Sequence, residues 1–190
     1  MRLVCASPRN PAHWWRSSGR EGRTKMDTEA RGKGPVKVPP GGGRSVWLVG
    51  DLIEVKLSSE DTGGAYSLVE ETTPPGGGPP PHSHLNEDET LYVLEGEVEF
   101  LVGEDSIPAG AGSCVYAPRG ILHTWMNVGA APSRMLGVIT PGGLERFFLE
   151  AGEPAAGDAS PPPGPPDIEK VMAAAARYGV DIPPPPEQTS

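Results

Sequence analysis

Three of the four histidines of this chain fall between residues 76 and 127. The stretch reads GGGPPPHSHLNEDETLYVLEGEVEFLVGEDSIPAGAGSCVYAPRGILHTWMN, and its spacings suit the holding of a metal. His82 and His84 stand two apart in an extended run, and because strand side chains alternate faces, both imidazoles point to the same side. Glu89 follows the polar turn Leu85-Asn86-Glu87-Asp88 at the head of a second strand, Glu89 to Glu95, which brings its carboxylate beside the two rings. His123 opens another short strand just after the tight turn Pro118-Arg119-Gly120. Three imidazoles and one carboxylate suit one divalent transition metal (Fe, Mn, Ni, Cu or Zn) better than calcium or magnesium, which prefer oxygen shells. Four protein ligands on an ion that accepts more leave room for water, dioxygen or a chelating substrate. Glu89, the one ligand with a second carboxylate oxygen, is the candidate catalytic base.

Short strands have to position these side chains. Val46 to Val49 and Leu52 to Leu57 read as strands joined at Gly50-Asp51, the second alternating Ile53, Val55 and Leu57 with Glu54 and Lys56. Ala65 to Glu71 carries Tyr66 and Leu68 on one face. The run Pro74 to Pro81 cannot pair as a central strand and holds the approach to His82 extended. Glu97 to Val102 turns Val98, Phe100 and Val102 inward, Ser106-Ile107 and Ser113 to Ala117 follow, and Arg134 to Thr140 completes the set. After His123, period 2 places Trp125 on the same face. Many short strands with regular turn signals predict a barrel or sandwich. Gly143 to Glu150 reads as a short helix with Leu144, Phe147 and Phe148 on one side. Asp167 is placed to cap a helix from Ile168 to Tyr178, with Gly179 past its end. That helix has three candidate roles: packing on the exterior, meeting a dimer mate, or covering the metal pocket.

Composition sets the organisation. Hydrophobic residues make up 36%, while 24 prolines and 26 glycines gather at the ends and in loops, so the folded part is smaller than the chain. The division expected is a largely flexible N-terminal extension and arm over 1–45, one β domain over 46–150, a Pro/Ala-rich linker over 151–166, and a C-terminal helix and tail over 167–190. Residues 1–25 are basic and acid-poor, as in an organelle transit peptide or a stretch upstream of a true start at Met26, and are left out of the fold. A formal net charge of -9 and the absence of a basic stripe in the central region argue against nucleic acid and anionic membrane as partners. No apolar run is long enough to span a bilayer. Two cysteines, Cys5 and Cys114, do not make a disulfide framework, so a cytoplasmic location is the default.

The stretch from Gly76 to Gly96 matches G-x5-H-x-H-x4-E-x6-G, and that from Gly112 to Asn127 matches G-x5-P-x-G-x2-H-x3-N, at every fixed position. In these two motifs the chain resembles the cupin superfamily, as a single-domain protein of the quercetin dioxygenase-like small type. The resemblance implies an all-β fold, an antiparallel jelly-roll (cupin) β-barrel with short C-terminal helices, and a metal bound by His82, His84, Glu89 and His123. It also implies a metal-dependent oxidoreductase of dioxygenase type acting on a small chelating organic substrate, with Glu89 accepting a proton, and commonly a homodimer. The alternatives are a non-catalytic small-molecule binding or sensor module, or a cupin isomerase or decarboxylase on the same ligands. Tyr66, Phe100 and Trp125 are the candidates for an apolar substrate-pocket wall around the ion.

Overall fold

The computed structural model describes residues 34–155 and 161–184. The basic start with Cys5, the middle of the Pro/Ala-rich linker and the last six residues lie outside this description. Twelve strands and three helices follow one another along the described residues. Strands β1 (Arg44–Leu48) and β2 (Asp51–Leu57) lead to helix α1 (Ser59–Thr62), β3 (Ser67–Thr73) and the two-residue β4 (Ser83–His84). Strands β5 (Asp88–Glu95), β6 (Glu97–Val102), β7 (Asp105–Gly110), β8 (Cys114–Ala117), β9 (His123–Asn127) and β10 (Ser133–Thr140) come next. Helix α2 (Glu145–Ala151), β11 (Glu153–Pro154), helix α3 (Ile168–Tyr178) and β12 (Val180–Asp181) complete the order.

The expected all-β closed barrel is not what forms. The architecture is a mixed one, with antiparallel sheets and a few short helices. The strands make a seven-stranded sheet in the order β11-β1-β2-β3-β10-β5-β8, a three-stranded sheet β7-β6-β9 and a pair β12-β4. Among the described residues no ladder joins the two larger sheets, which remain open at their edge strands. Pro79, Pro80 and Pro81 have no N–H to donate, so beside β9 the chain forms no regular ladder, only the hydrogen bonds of Gly76 and Gly77 with Asn127 and an isolated bridge of His82 with His123. That bridge has both bonds in place, His82 N–H to His123 O at 2.9 Å and His123 N–H to His82 O at 2.8 Å. The bridge fixes two of the histidines against each other.

The sheets face each other across apolar side chains. One cluster gathers Leu91, Val93, Val98, Phe100, Val115, Trp125 and Met135 from both large sheets. The other packs Val46, Ile53, Val55, Val69 and Ile139 against Phe147 and Phe148 of α2 and Val171, Ala174 and Ala175 of α3. Burying side chains of this kind contributes about 1.5–3 kcal/mol each for the larger ones, which holds α2 and α3 to the sheet. Helix α3 has the termini expected from its sequence: the Asp167 carboxylate accepts from Lys170 N–H, and Gly179 takes the left-handed conformation at φ 72°.

Strand β3 departs from the sequence expectation. It buries Ser67, Val69, Glu71 and Thr73 and leaves Leu68 half-buried, so the inward face is opposite to the one carrying Tyr66 and Leu68. A one-residue change of register exchanges every side chain between faces, and here neighbours set the register on both sides, Glu71 lying between Ile53 of β2 and Met135 of β10. Glu145 of α2 fixes the start of the strand. Its carboxylate accepts from the N–H and hydroxyl of Ser59, the hydroxyl of Ser67 and the N–H of Gly143, which satisfies a carboxylate only 1% exposed. These hydrogen bonds hold its pKa below the usual range despite burial.

Candidate metal centre

Four side chains from separate segments converge at one end of the space between the sheets. His82 comes from the proline run, His84 from β4, Glu89 from β5 and His123 from the first position of β9. Each offers a ligand atom, and these atoms all lie within 4.8 Å of one another. Ring centroids are 4.4 Å apart for His82 and His123, 4.9 Å for His82 and His84, and 5.2 Å for His84 and His123. The four donor atoms are thus close enough together to share one ion.

Backbone contacts orient the rings. His82 Nδ1 lies 3.0 Å from Pro80 O, and His123 Nδ1 lies 2.9 Å from Ile121 O. Each Nδ1 is thus placed to donate to the carbonyl two residues earlier, which turns Nε2 toward the cluster. The turn before His123 is fixed in turn. Asp88, beside Glu89, accepts from Arg119 N–H, Nε and Nη2 at 3.0, 3.1 and 2.8 Å, and Gly120 N–H donates to His84 O at 2.8 Å. Gly78 lies so close to β9 that a Cβ there would overlap the Trp125 carbonyl oxygen, so only glycine lets the proline run reach His82 along this path.

The electrostatics match what a cation asks of its ligands. Burial, helped by repulsion from His84 and His123, pushes the His82 imidazole down to about 3, into its neutral form. Burial alone would raise the Glu89 carboxyl, but the hydrogen bond with His123 and the charge interaction with His84 and His123 outweigh it and hold it ionised. Burial opposes charge on His123 as well, yet the Glu89 carboxylate, 3.2 Å from its Nε2, lifts its pKa above the usual value. His84 supplies the sharpest test of fit. It is 2% exposed, and neither of its ring nitrogens has a hydrogen-bond partner; Glu89 Oε2 stands 3.6 Å from its Nε2, too far for a hydrogen bond. A buried imidazole without partners is costly in a protein alone, and a metal ion would satisfy it. The donor set fits one divalent transition metal.

A cavity of about 60 Å³ opens beside the cluster, enough for a few waters at about 10–15 Å³ each or one small ligand. His82, His84 and Glu89 form one wall, and Trp125, Phe147, Phe148, Val171, Val180 and Ile182 supply much of the rest. Of the three expected pocket residues only Trp125 lines this space, its ring 6.1 Å from that of His82. Phe100 sits in the core behind Trp125, 1% exposed. Tyr66 lies at the surface near Val36 and Thr62, as the reversed face of β3 requires. The aromatic wall comes instead from α2, and the aliphatic closure from α3 and the residues after it. Strand β12 pairs with β4, Val180 opposite His84, and so draws the C-terminal segment over the cavity. Two acidic residues that the sequence reading passed over, Asp51 and Glu71, also line it.

Residues 69–139 match the cupin domain family, a span that contains all four residues of the cluster. Over 115 residues the chain is 27% identical to quercetin 2,3-dioxygenase of Bacillus subtilis (strain 168), covering 60% of this chain and 34% of that protein. The chain thus spans about a third of that relative's length. Among solved structures, TT1209 from Thermus thermophilus is 32% identical, with 41% of this chain and 74% of that one covered and a TM-score of 0.40. KdgF from Halomonas sp. is 16% identical, with 60% and 99% covered and a TM-score of 0.53. The chain belongs to the cupin superfamily, with one cupin domain centred on the buried histidine and glutamate cluster.

Proposed function

We propose that the protein is a metal-dependent oxidoreductase of dioxygenase type that holds one divalent transition metal on His82, His84, Glu89 and His123 and acts on a small chelating organic substrate. The observation that carries this reading is the convergence of three imidazoles and an ionised carboxylate at the wall of an apolar cavity. The likeness to a quercetin 2,3-dioxygenase supports the reaction type. The bound metal would supply Lewis-acid and redox chemistry to a chelated substrate. Glu89 carries two oxygens, so one can take a substrate proton while the other keeps its place among the imidazoles. Trp125, Phe147 and Phe148 exclude water from the reacting end.

The cavity volume favours substrates far smaller than quercetin unless α3 moves aside. The test is oxygen uptake by iron-, manganese- and nickel-loaded protein with small 1,2-diketones, 2-hydroxyketones and catechols. Uptake that needs both metal and substrate, and that falls at least about a hundredfold in Glu89→Gln, is the expected result. Tight, metal-dependent ligand binding without oxygen uptake by any loaded form would replace this reading with that of a binding module.

A further inference from the structure

Two carboxylic acids share the cavity with the metal cluster and take no part in it. Asp51 opens β2 and Glu71 lies near the end of β3, and they are 4% and 2% exposed. Both line the cavity that His82, His84 and Glu89 also line, and Glu71 lies near enough to Glu89 to feel its charge. Asp51 Oδ1 has no hydrogen-bond partner, and among the described residues Glu71 forms neither a hydrogen bond nor an ion pair with any cation. Nearby the Trp125 indole Nε1, also in the lining, is unpartnered as well. The rest of the lining is aliphatic, aromatic or proline. Burying a carboxyl oxygen without a partner is costly, and the Thr73 hydroxyl, which acts on Asp51, leaves its Oδ1 unpaired. Groups of this kind in a ligand cavity are explained by a ligand that completes their hydrogen bonds.

We infer that Asp51 and Glu71 form a second recognition site that binds a hydroxyl group of the substrate, while another part of the substrate chelates the metal. This rests on the metal-site reading given above. The substrate class follows from the chemistry of the two walls. The near end must offer two oxygens to an ion. The other end must donate a hydrogen bond to a carboxyl oxygen. Burial pushes both acids toward the protonated form, Asp51 to about 7, in which each can accept from and donate to one hydroxyl. A short hydroxylated α-keto or α-hydroxy compound satisfies both walls and fits the volume. The apolar sides contributed by Phe147, Phe148 and Val180 suit the carbon chain between its two ends.

The test uses nickel-loaded protein and two inert chelators of nearly equal size, propionohydroxamate and 3-hydroxypropionohydroxamate, with binding followed by calorimetry. The hydroxylated chelator is expected to bind about tenfold more tightly to the wild-type protein, the difference made by one hydrogen bond to a buried polar group. That preference should fall toward unity in Asp51→Leu and Glu71→Leu, and be partly restored in Asp51→Asn and Glu71→Gln, which keep an accepting oxygen and nearly the same shape. Equal binding of the two chelators by the wild-type protein would overturn the inference and leave the metal site standing, with no variant needed. A preference that persists in both leucine variants would overturn it as well. Failure of either chelator to bind in a nickel-dependent way would bring down the metal reading and this inference with it.

Discussion

Replacing His84 by leucine should move stability in opposite directions with and without metal. The ring is 2% exposed, both its nitrogens lack hydrogen-bond partners, and the Glu89 carboxylate stands 3.6 Å away. In chelator-treated protein each unsatisfied nitrogen costs about 1–3 kcal/mol. Leucine has a similar volume and no polar atom. After allowance for the lost attraction to Glu89 and for imperfect packing, His84→Leu should be about 1 kcal/mol more stable than wild type, a rise of about 2–4 °C in Tm for a chain of this size. With nickel at a hundred times its Kd, the wild type gains about 2.7 kcal/mol, or about 5–11 °C. A variant that binds a hundredfold more weakly gains only about 0.4 kcal/mol under the same conditions. The two unfolding curves should therefore change order on addition of metal. Thermal unfolding by circular dichroism, in excess chelator and in excess nickel, is the assay. Equal destabilisation of His84→Leu in both conditions would refute the reasoning, because it would mean that His84 is already satisfied by the protein and that no cation uses it.

Gly78→Ala should destabilise the fold by about 2–3 kcal/mol and lower metal content together, since φ is +147° and the added Cβ would overlap the Trp125 carbonyl oxygen; urea unfolding and elemental analysis check both, and normal metal content in a destabilised variant would separate the loop from the site. Asp51 sets a pH dependence in chelator-treated protein. Its carboxyl is raised from 3.8 to about 7 by burial, with the Thr73 hydroxyl pulling the other way. The native state therefore keeps a proton that the unfolded chain releases, and the resulting stability, up to roughly 4 kcal/mol, is present below about pH 4 and lost as pH rises through about 7. Asp51→Asn should flatten that decline in urea unfolding measured from pH 4 to pH 8, and an unchanged slope would show that Asp51 is ionised in the native protein.

What the sequence determined by itself is local. The two-residue spacing of His82 and His84, the polar turn before Glu89 and the Pro118-Arg119-Gly120 turn before His123 are short-range features, and each carries its geometry in a few residues. The same holds for Asp167 and Gly179 at the ends of α3, where one carboxylate and one left-handed glycine decide the boundaries. Tertiary structure decided what depends on distant partners. Whether the sheets close was not legible, because it turns on which edge strands find partners across the gap, and no local pattern decides that. The inward face of β3 was not legible either. Ser67 and Glu71 look like solvent-facing residues until Glu145 and the neighbouring strands fix the register that buries them. The second wall of the cavity and its cover by α3 and β12 follow from that register and from a pairing, Val180 with His84, between residues far apart in the chain. Burial and desolvation are properties of the assembled whole, and they turn an ordinary aspartate and glutamate into groups that face a metal cluster.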